Sequence, residues 1–182
     1  MRIVLATPLY PPDIAEPAPY IKELAKRLAE LHEVTIVTYA RLPEKVPGVR
    51  TIAIDKRQPL PLRLFAYLRA LLRAAKYADV IYAENGASVE LPAGLVSLFS
   101  ARPLIMHVGD LVAHKRAQTS LALRSIEHFA RSRAKTVITD SPLPKPEILP
   151  LDIIPIDKLA AYERSWSEHL RKLEDIFKHA TS

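Results

Sequence analysis

The chain reads as one doubly wound α/β domain, a mostly parallel sheet of about six strands with helices on both faces and a last helix packed back on it. Three observations predict this. Short β-branched runs alternate with stretches whose apolar residues recur every three or four positions. The first run, Arg2–Thr7, is apolar almost throughout, as a strand buried on both faces must be. A length of 182 residues with 49% hydrophobic content is enough for one sizeable core.

Each element follows from its residues. Arg2–Thr7 is a strand, ended by a loop that holds prolines 8, 11, 12, 17 and 19. Ile21, Leu24, Ala25, Leu28 and Leu31 then recur at helical spacing. Glu33–Tyr39, rich in Val, Ile and Thr, is a second strand, which closes a right-handed βαβ unit. Val49–Ile54 is a third strand. Leu62–Tyr77 is a helix with Leu64, Leu68, Leu71 and Ala75 on one stripe, flanked by Phe65 and Leu72. Asp79–Tyr82 opens a fourth strand, Glu90–Ser100 is a helix, and Pro103–Val108 is a fifth strand. Leu121–Ser132 is a helix and Thr136–Thr139 begins a sixth strand. Residues 1–141 thus form the domain. Residues 142–157 form a connector with prolines at 142, 144, 146, 150 and 155, which rule out a regular helix. Residues 158–182 form a last helix, with Leu159, Tyr162, Trp166, Leu170, Leu173 and Phe177 on one stripe. Ser165 and Glu168 make a capping box, so regular helix is expected to restart at Ser165.

Composition excludes several classes. There is no cysteine, hence no disulfide framework and no thiolate metal site, which fits a cytoplasmic protein. Side-chain amides occur only at Gln58, Asn85 and Gln118, and this scarcity, with 16 prolines and 25% charged residues, points to a thermophile. No signal peptide pattern opens the chain, and no apolar run approaches the roughly 20 residues of a membrane span. The six histidines show no metal spacing, and four glycines cannot build a glycine-rich phosphate loop. No cofactor or metal is therefore expected. The net charge of +6 either favours acidic partners or is plain surface solvation. Nucleic acid is not expected, because no basic face carries interleaved aromatics.

The opening, MRIVLATPLYPPDIAEPAPYIKELAKRLAELHEVTIVT, resembles that of family 4 glycosyltransferases of the GT-B fold. RPLIMHVGD resembles the family strand that ends in Gly-Asp, and SWSEHLRKLEDIF resembles the last helix of full-length enzymes, which crosses back onto the N-terminal domain. The resemblance implies the N-terminal, acceptor-side domain of an enzyme that moves a sugar from a nucleotide-sugar donor with retention. Two departures stand out. The family's Gly-Gly pair, which lets backbone N–H groups approach the donor diphosphate, appears here as Ala15-Glu16, adding a Cβ and a negative charge. The family's donor-binding domain carries two glutamates eight positions apart, and no such pair occurs here. Between Thr139 and Lys158 the chain has only the connector. It is expected to be inactive or nearly so alone, with a donor-binding partner chain or self-association completing it. A non-catalytic binding or scaffold module is the alternative.

Ligands in open parallel sheets bind beyond the carboxyl ends of the strands. After the first strand stand Tyr10, Asp13, Ala15, Glu16 and Tyr20, which by the resemblance line a donor or acceptor cleft, or else form a rigid loop that starts a helix. After the fourth stand Glu84, Asn85 and Gly86, where a carboxylate can bind a sugar hydroxyl or serve the next helix. After the fifth stand Gly109, Asp110 and His114, with Lys115 and Arg116 beyond. Asp110 is the candidate base for an acceptor hydroxyl, or an ordinary N-cap, and His114 is a candidate ligand. His107, inside a strand, reads as a satisfied core histidine. Arg63, Arg69, Arg73 and Lys76 lie on the helix Leu62–Tyr77, which suits either an anionic membrane surface, making the protein peripheral there, or an ordinary outer-layer helix.

Overall fold

The computed structural model of the chain describes residues 1–109, 115, 118–139, 143–148 and 154–182. Six strands, β1 (Arg2–Thr7), β2 (Glu33–Tyr39), β3 (Val49–Ile54), β4 (Val80–Glu84), β5 (Leu104–Val108) and β6 (Thr136–Thr139), form one sheet in the order β3-β2-β1-β4-β5-β6. Every neighbouring pair is parallel. The order reverses between β1 and β4, so the crevice beyond their carboxyl ends is the place where such sheets receive ligands.

Period-two alternation sorts the strand residues between two cores. Ile3, Leu5, Val34, Ile36, Tyr82 and Ile105 face one side, under α1 (Ala18–Leu28) and α5 (Ile156–Thr181). Val4, Ala6, Val37, Tyr39, Ile81 and Met106 face the other, under α2 (Leu60–Ala75), α3 (Ala87–Ser100) and α4 (Leu121–Arg133). The doubly wound architecture expected from the alternating pattern is therefore present.

The helices start and stop for local reasons. Helix α1 ends at Leu28, where the His32 N–H turns back to the Leu28 carbonyl so that the chain can enter β2. Leu31 thus falls outside the helix and is exposed, not part of the buried stripe its spacing suggested. Helix α2 starts two residues earlier than its apolar stripe, behind Pro59, and buries Tyr67 with Leu71 and Ala75. Helix α3 contains Pro92, which has no N–H to offer the Ser88 carbonyl. The Tyr39 hydroxyl donates to that carbonyl at 2.9 Å instead.

Helix α5 is continuous from Ile156. Ser165 lies inside it, so the Ser165–Glu168 pair is no cap, and the Ser167 hydroxyl bonds back to the Glu163 carbonyl. Of the predicted stripe, Tyr162, Trp166, Leu173 and Phe177 are buried, Leu170 is half-buried and Leu159 is exposed. Arg27 of α1 ties α5 down. Its guanidinium donates to both Glu163 oxygens at 2.7 and 2.9 Å, to Glu23 at 2.7 Å, and lies 5.0 Å from the Trp166 ring centre. Trp166 is fully buried against Tyr20. Trp166→Ala is expected to cost about 3–5 kcal/mol of stability by loss of transfer energy plus cavity formation, measured by urea unfolding.

Candidate functional site

The proline loop after β1 brings Tyr10, Asp13, Ala15 and Glu16 to the carboxyl edge of the sheet. Tyr10 is fully buried, and burial, with the charge of Glu44, pushes its hydroxyl up to about 12. Asp13 is half-buried and paired with Lys56, which spans from the segment after β3. Ala15 and Glu16 are exposed at the turn into α1, where the Ala15 carbonyl receives the Ala18 N–H at 2.9 Å.

That turn bears directly on anion binding. A helix N-terminus ordinarily offers four N–H groups. Here the N-cap is Pro17 and the second helical residue is Pro19, neither of which has one, and the Ala18 N–H is spent on Ala15. At most one of the four donors remains, and the exposed Glu16, one residue before the N-cap, carries the same sign of charge as any phosphate.

The other side of the crevice differs. Asn85 is buried, and its backbone N–H bonds the His107 carbonyl at 2.9 Å, tying β4 to β5. Gly86 follows at φ +141°, a conformation closed to L side chains, and faces Pro8 of the first loop. This turn starts α3 without a side-chain cap. The two sides of the switch point therefore meet at Pro8 and Gly86.

Beneath α5 lies a buried polar cluster. Glu84, at the end of β4, is fully buried. Its Oε2 receives Lys145 Nζ at 3.1 Å. Its Oε1 receives the Tyr82 hydroxyl at 3.1 Å and lies 3.1 Å from His107 Nδ1. Tyr82 sits two residues before Glu84 and His107 is its register partner on β5, so strand pleating alone puts all three side chains on one face. Tyr20 of α1 adds its hydroxyl, 2.8 Å from His169 Nε2 and 3.4 Å from Tyr82. His169 Nδ1 lies 3.1 Å from the Pro144 carbonyl. Lys145 Nζ also sits 4.6 Å above the Tyr20 ring.

The charges in this cluster balance. Burial opposes ionisation of Glu84, but Lys145 and His107 outweigh it, and its carboxyl stays below the usual range. Burial, aided by the nearby Glu84 charge, raises the Tyr82 hydroxyl well above the usual phenol value. Burial, with His107 second, lowers His169 to about 4. Sequence reasoning found Glu84 and recognised His107 as a core residue. It missed Lys145 and His169, whose only signals were a lysine inside a proline run and a histidine on a leucine-rich helix face.

The remaining expected residues divide. Gly109 is half-buried directly after β5. Asp110 and His114 lie outside the described residues. Lys115 is exposed. Among the described residues no group of His, Asp and Glu could hold a metal ion.

The comparisons with known proteins agree with this architecture. The family model described as a glycosyl transferase 4-like domain matches residues 16–145, most of the chain. The chain belongs to that family, as an N-terminal, glycosyltransferase-type module. Comparison with curated proteins returned no match. Among solved structures, Anabaena Alr3699/HepE in complex with UDP aligns at TM-score 0.54 and 21% identity, over 79% of this chain and 39% of that one. Its complex with UDP-glucose aligns at TM-score 0.53 and 18% identity, over 91% and 41%. A Listeria monocytogenes protein named as a UDP-N-acetylglucosamine 2-epimerase aligns at TM-score 0.53 and 14% identity, over 75% and 39%. At these identities the likeness shows the fold. The chain spans about two fifths of the length of these proteins.

Two expectations follow from the cluster. Lys145→Met leaves a buried carboxylate without its cation and is expected to cost about 3–5 kcal/mol, with much of the loss recovered in Glu84→Gln/Lys145→Met, read by urea unfolding. His169 has a folded value of about 4 against an ordinary 6.5, so the unfolded chain takes the proton first. Its contribution is complete above pH 6.5 and is lost as pH falls through about 4, an effect on the order of 3 kcal/mol. His169→Gln, which keeps hydrogen-bonding capacity without titrating, is expected to flatten this acid limb in unfolding experiments between neutral and acid pH.

Proposed function

We propose that the chain is the acceptor-side module of a glycosyl transfer system in which a second domain, or a partner chain, holds the nucleotide sugar. Family membership supports the transferase class. The observation that carries the division of labour is the N-terminus of α1. Its prolines at the N-cap and second helical position, its spent Ala18 N–H and the adjacent Glu16 leave no cradle for a diphosphate. HepE, whose crystals hold UDP and UDP-glucose, is a chain of which this one covers 39–41%. The donor site is accordingly assigned to what lies outside this domain. In the joint cleft, the turn Asp13–Glu16 lines one wall, and Asp110 and His114, which follow Gly109 in the sequence, are the residues to receive an acceptor hydroxyl and its proton. Glu84, Tyr82 and His107 position the strand ends from below and do not touch the sugar.

A second reading is a non-catalytic module that kept the fold. The commitment of Glu84 and His107 to internal hydrogen bonds favours it. The two readings part on partners: a co-purifying chain that binds nucleotide sugars and restores transfer supports the first, and the absence of any such chain supports the second.

Calorimetric titration of the chain with UDP-, GDP- and ADP-sugars tests the proposal. No heat is expected even at millimolar donor. Micromolar binding would show that a donor site exists here without a phosphate cradle on α1, and would overturn the assignment.

A further inference from the structure

At the end of the sheet opposite the switch-point crevice, a pocket of about 730 Å³ lies between the last turns of α2 and the amino halves of β1, β2 and β3. Its floor follows from strand pleating. Val4, Thr35 and Arg50 are register partners, so they stand in one row on the α2 side of the sheet. Ile52, two residues beyond Arg50, shares that face. Helix α2 buries Tyr67, Leu71 and Ala75 against the sheet. Over the pocket it offers Ala70 and Ala74, whose side chains are too small to fill the space. Thr35, Ile52, Ala70 and Ala74 are all half-buried, so the floor is reached from outside.

The rim is cationic. Arg50 lines the pocket from β3 and Arg73 from α2. Both are exposed, and neither forms an ion pair among the described residues. The basic residues of α2 therefore do not act as one set. Arg63, at the other end of the helix, donates to the Lys56 carbonyl at 2.9 Å and lies 5.4 Å from the Tyr39 ring centre. Arg2 also borders the pocket, but its guanidinium is held by Asp79 at 2.6 Å and feels the charge of Glu33 beside it. Arg50 and Arg73 are left to meet an incoming group. Tyr77, 63% exposed, adds an aromatic ring to the wall.

We propose that this pocket binds a small organic anion with an apolar body, of the class of aromatic or medium-chain carboxylates. Its volume is that of a small-molecule site, and such sites join an apolar lining to a few placed polar groups. The body rests on Val4, Ile52, Ala70 and Ala74, beside the Tyr77 ring. The head meets the guanidiniums of Arg50 and Arg73, whose planar forks match a carboxylate. Neither half suffices alone. A bare inorganic anion gains nothing from the floor, and a neutral hydrocarbon gains nothing from the arginines. Glu84 and Gly86 lie at the opposite edge of the sheet, so the ligand is separate from the crevice. The inference rests on this pocket and stands apart from the transferase reading.

The test is fluorescence titration of the intact chain with anilinonaphthalene sulfonate, an aromatic anion, followed by displacement. Saturable one-to-one binding is expected. Decanoate is expected to displace the dye, with decanol and inorganic phosphate each at least about tenfold less effective, since each lacks one half of the recognition. Arg50→Ala/Arg73→Ala is expected to weaken dye binding at least about tenfold through two lost charge-assisted contacts. Both side chains are exposed and unpaired, so the thermal midpoint stays unchanged. Ala74→Leu, which fills the floor, is expected to weaken binding as well. Phe65→Ser, on the outer side of α2, is expected to leave it unchanged. Four results would overturn the inference: no saturable binding, displacement by decanol or phosphate as effective as by decanoate, affinity unmoved by Arg50→Ala/Arg73→Ala, or binding lost in Phe65→Ser.

Discussion

The carboxylate of Glu84 is a full charge with no exposure to water, and much of the molecule is arranged around it. A buried carboxylate is tolerated only with a cation and hydrogen bonds. Strand pairing supplies two of these partners, because Tyr82 and His107 come to the same face of β4 and β5. The cation must come from elsewhere, and it is Lys145 of the connector. Holding Lys145 in place fixes residues 143–148 at the carboxyl edge of the sheet. His169 meets the adjacent Pro144 carbonyl and Tyr20, which sets where α5 lands. The charge at the end of one strand thus helps to join the sheet, the first helix, the connector and the last helix.

The second constraint is the parallel sheet itself, which must be covered on both faces. On the β4 side of the first core, α1 alone does not reach, and α5 fills the space with Trp166, Leu173 and Phe177. Cover on the other face comes from α2, α3 and α4. There the inner residues satisfy the sheet, and the outer ends of α3, Leu98 and Phe99, have no role in holding it.

The same geometry separates binding competence from fold. The switch between β1 and β4 opens a crevice at the carboxyl edge, with Pro8 and Gly86 meeting across it. Two prolines and one carbonyl remove most donors from the start of α1, while the helix itself is intact. A small local change in backbone chemistry therefore removes anion-binding capacity from this helix end without disturbing the strand order around it.

The sequence by itself determined the strands, the layers and the family, because period-two and period-3.6 patterns and the opening motif are local. It placed Glu84 at the end of a strand, since the carboxyl edge follows from strand direction, but it read Tyr10 and Tyr20 as cleft residues, and the fold buries both. It misplaced Leu31 and the start of α5, where a turn and a proline overrode apolar spacing and a capping pair. Only the tertiary structure decided that Lys145 and His169 join Glu84, because those contacts span 61 residues in one case and run through α1 in the other. It alone also decided that Arg63 turns inward while Phe65 and Phe99 turn out, since which side of a helix meets water depends on the neighbour it packs against.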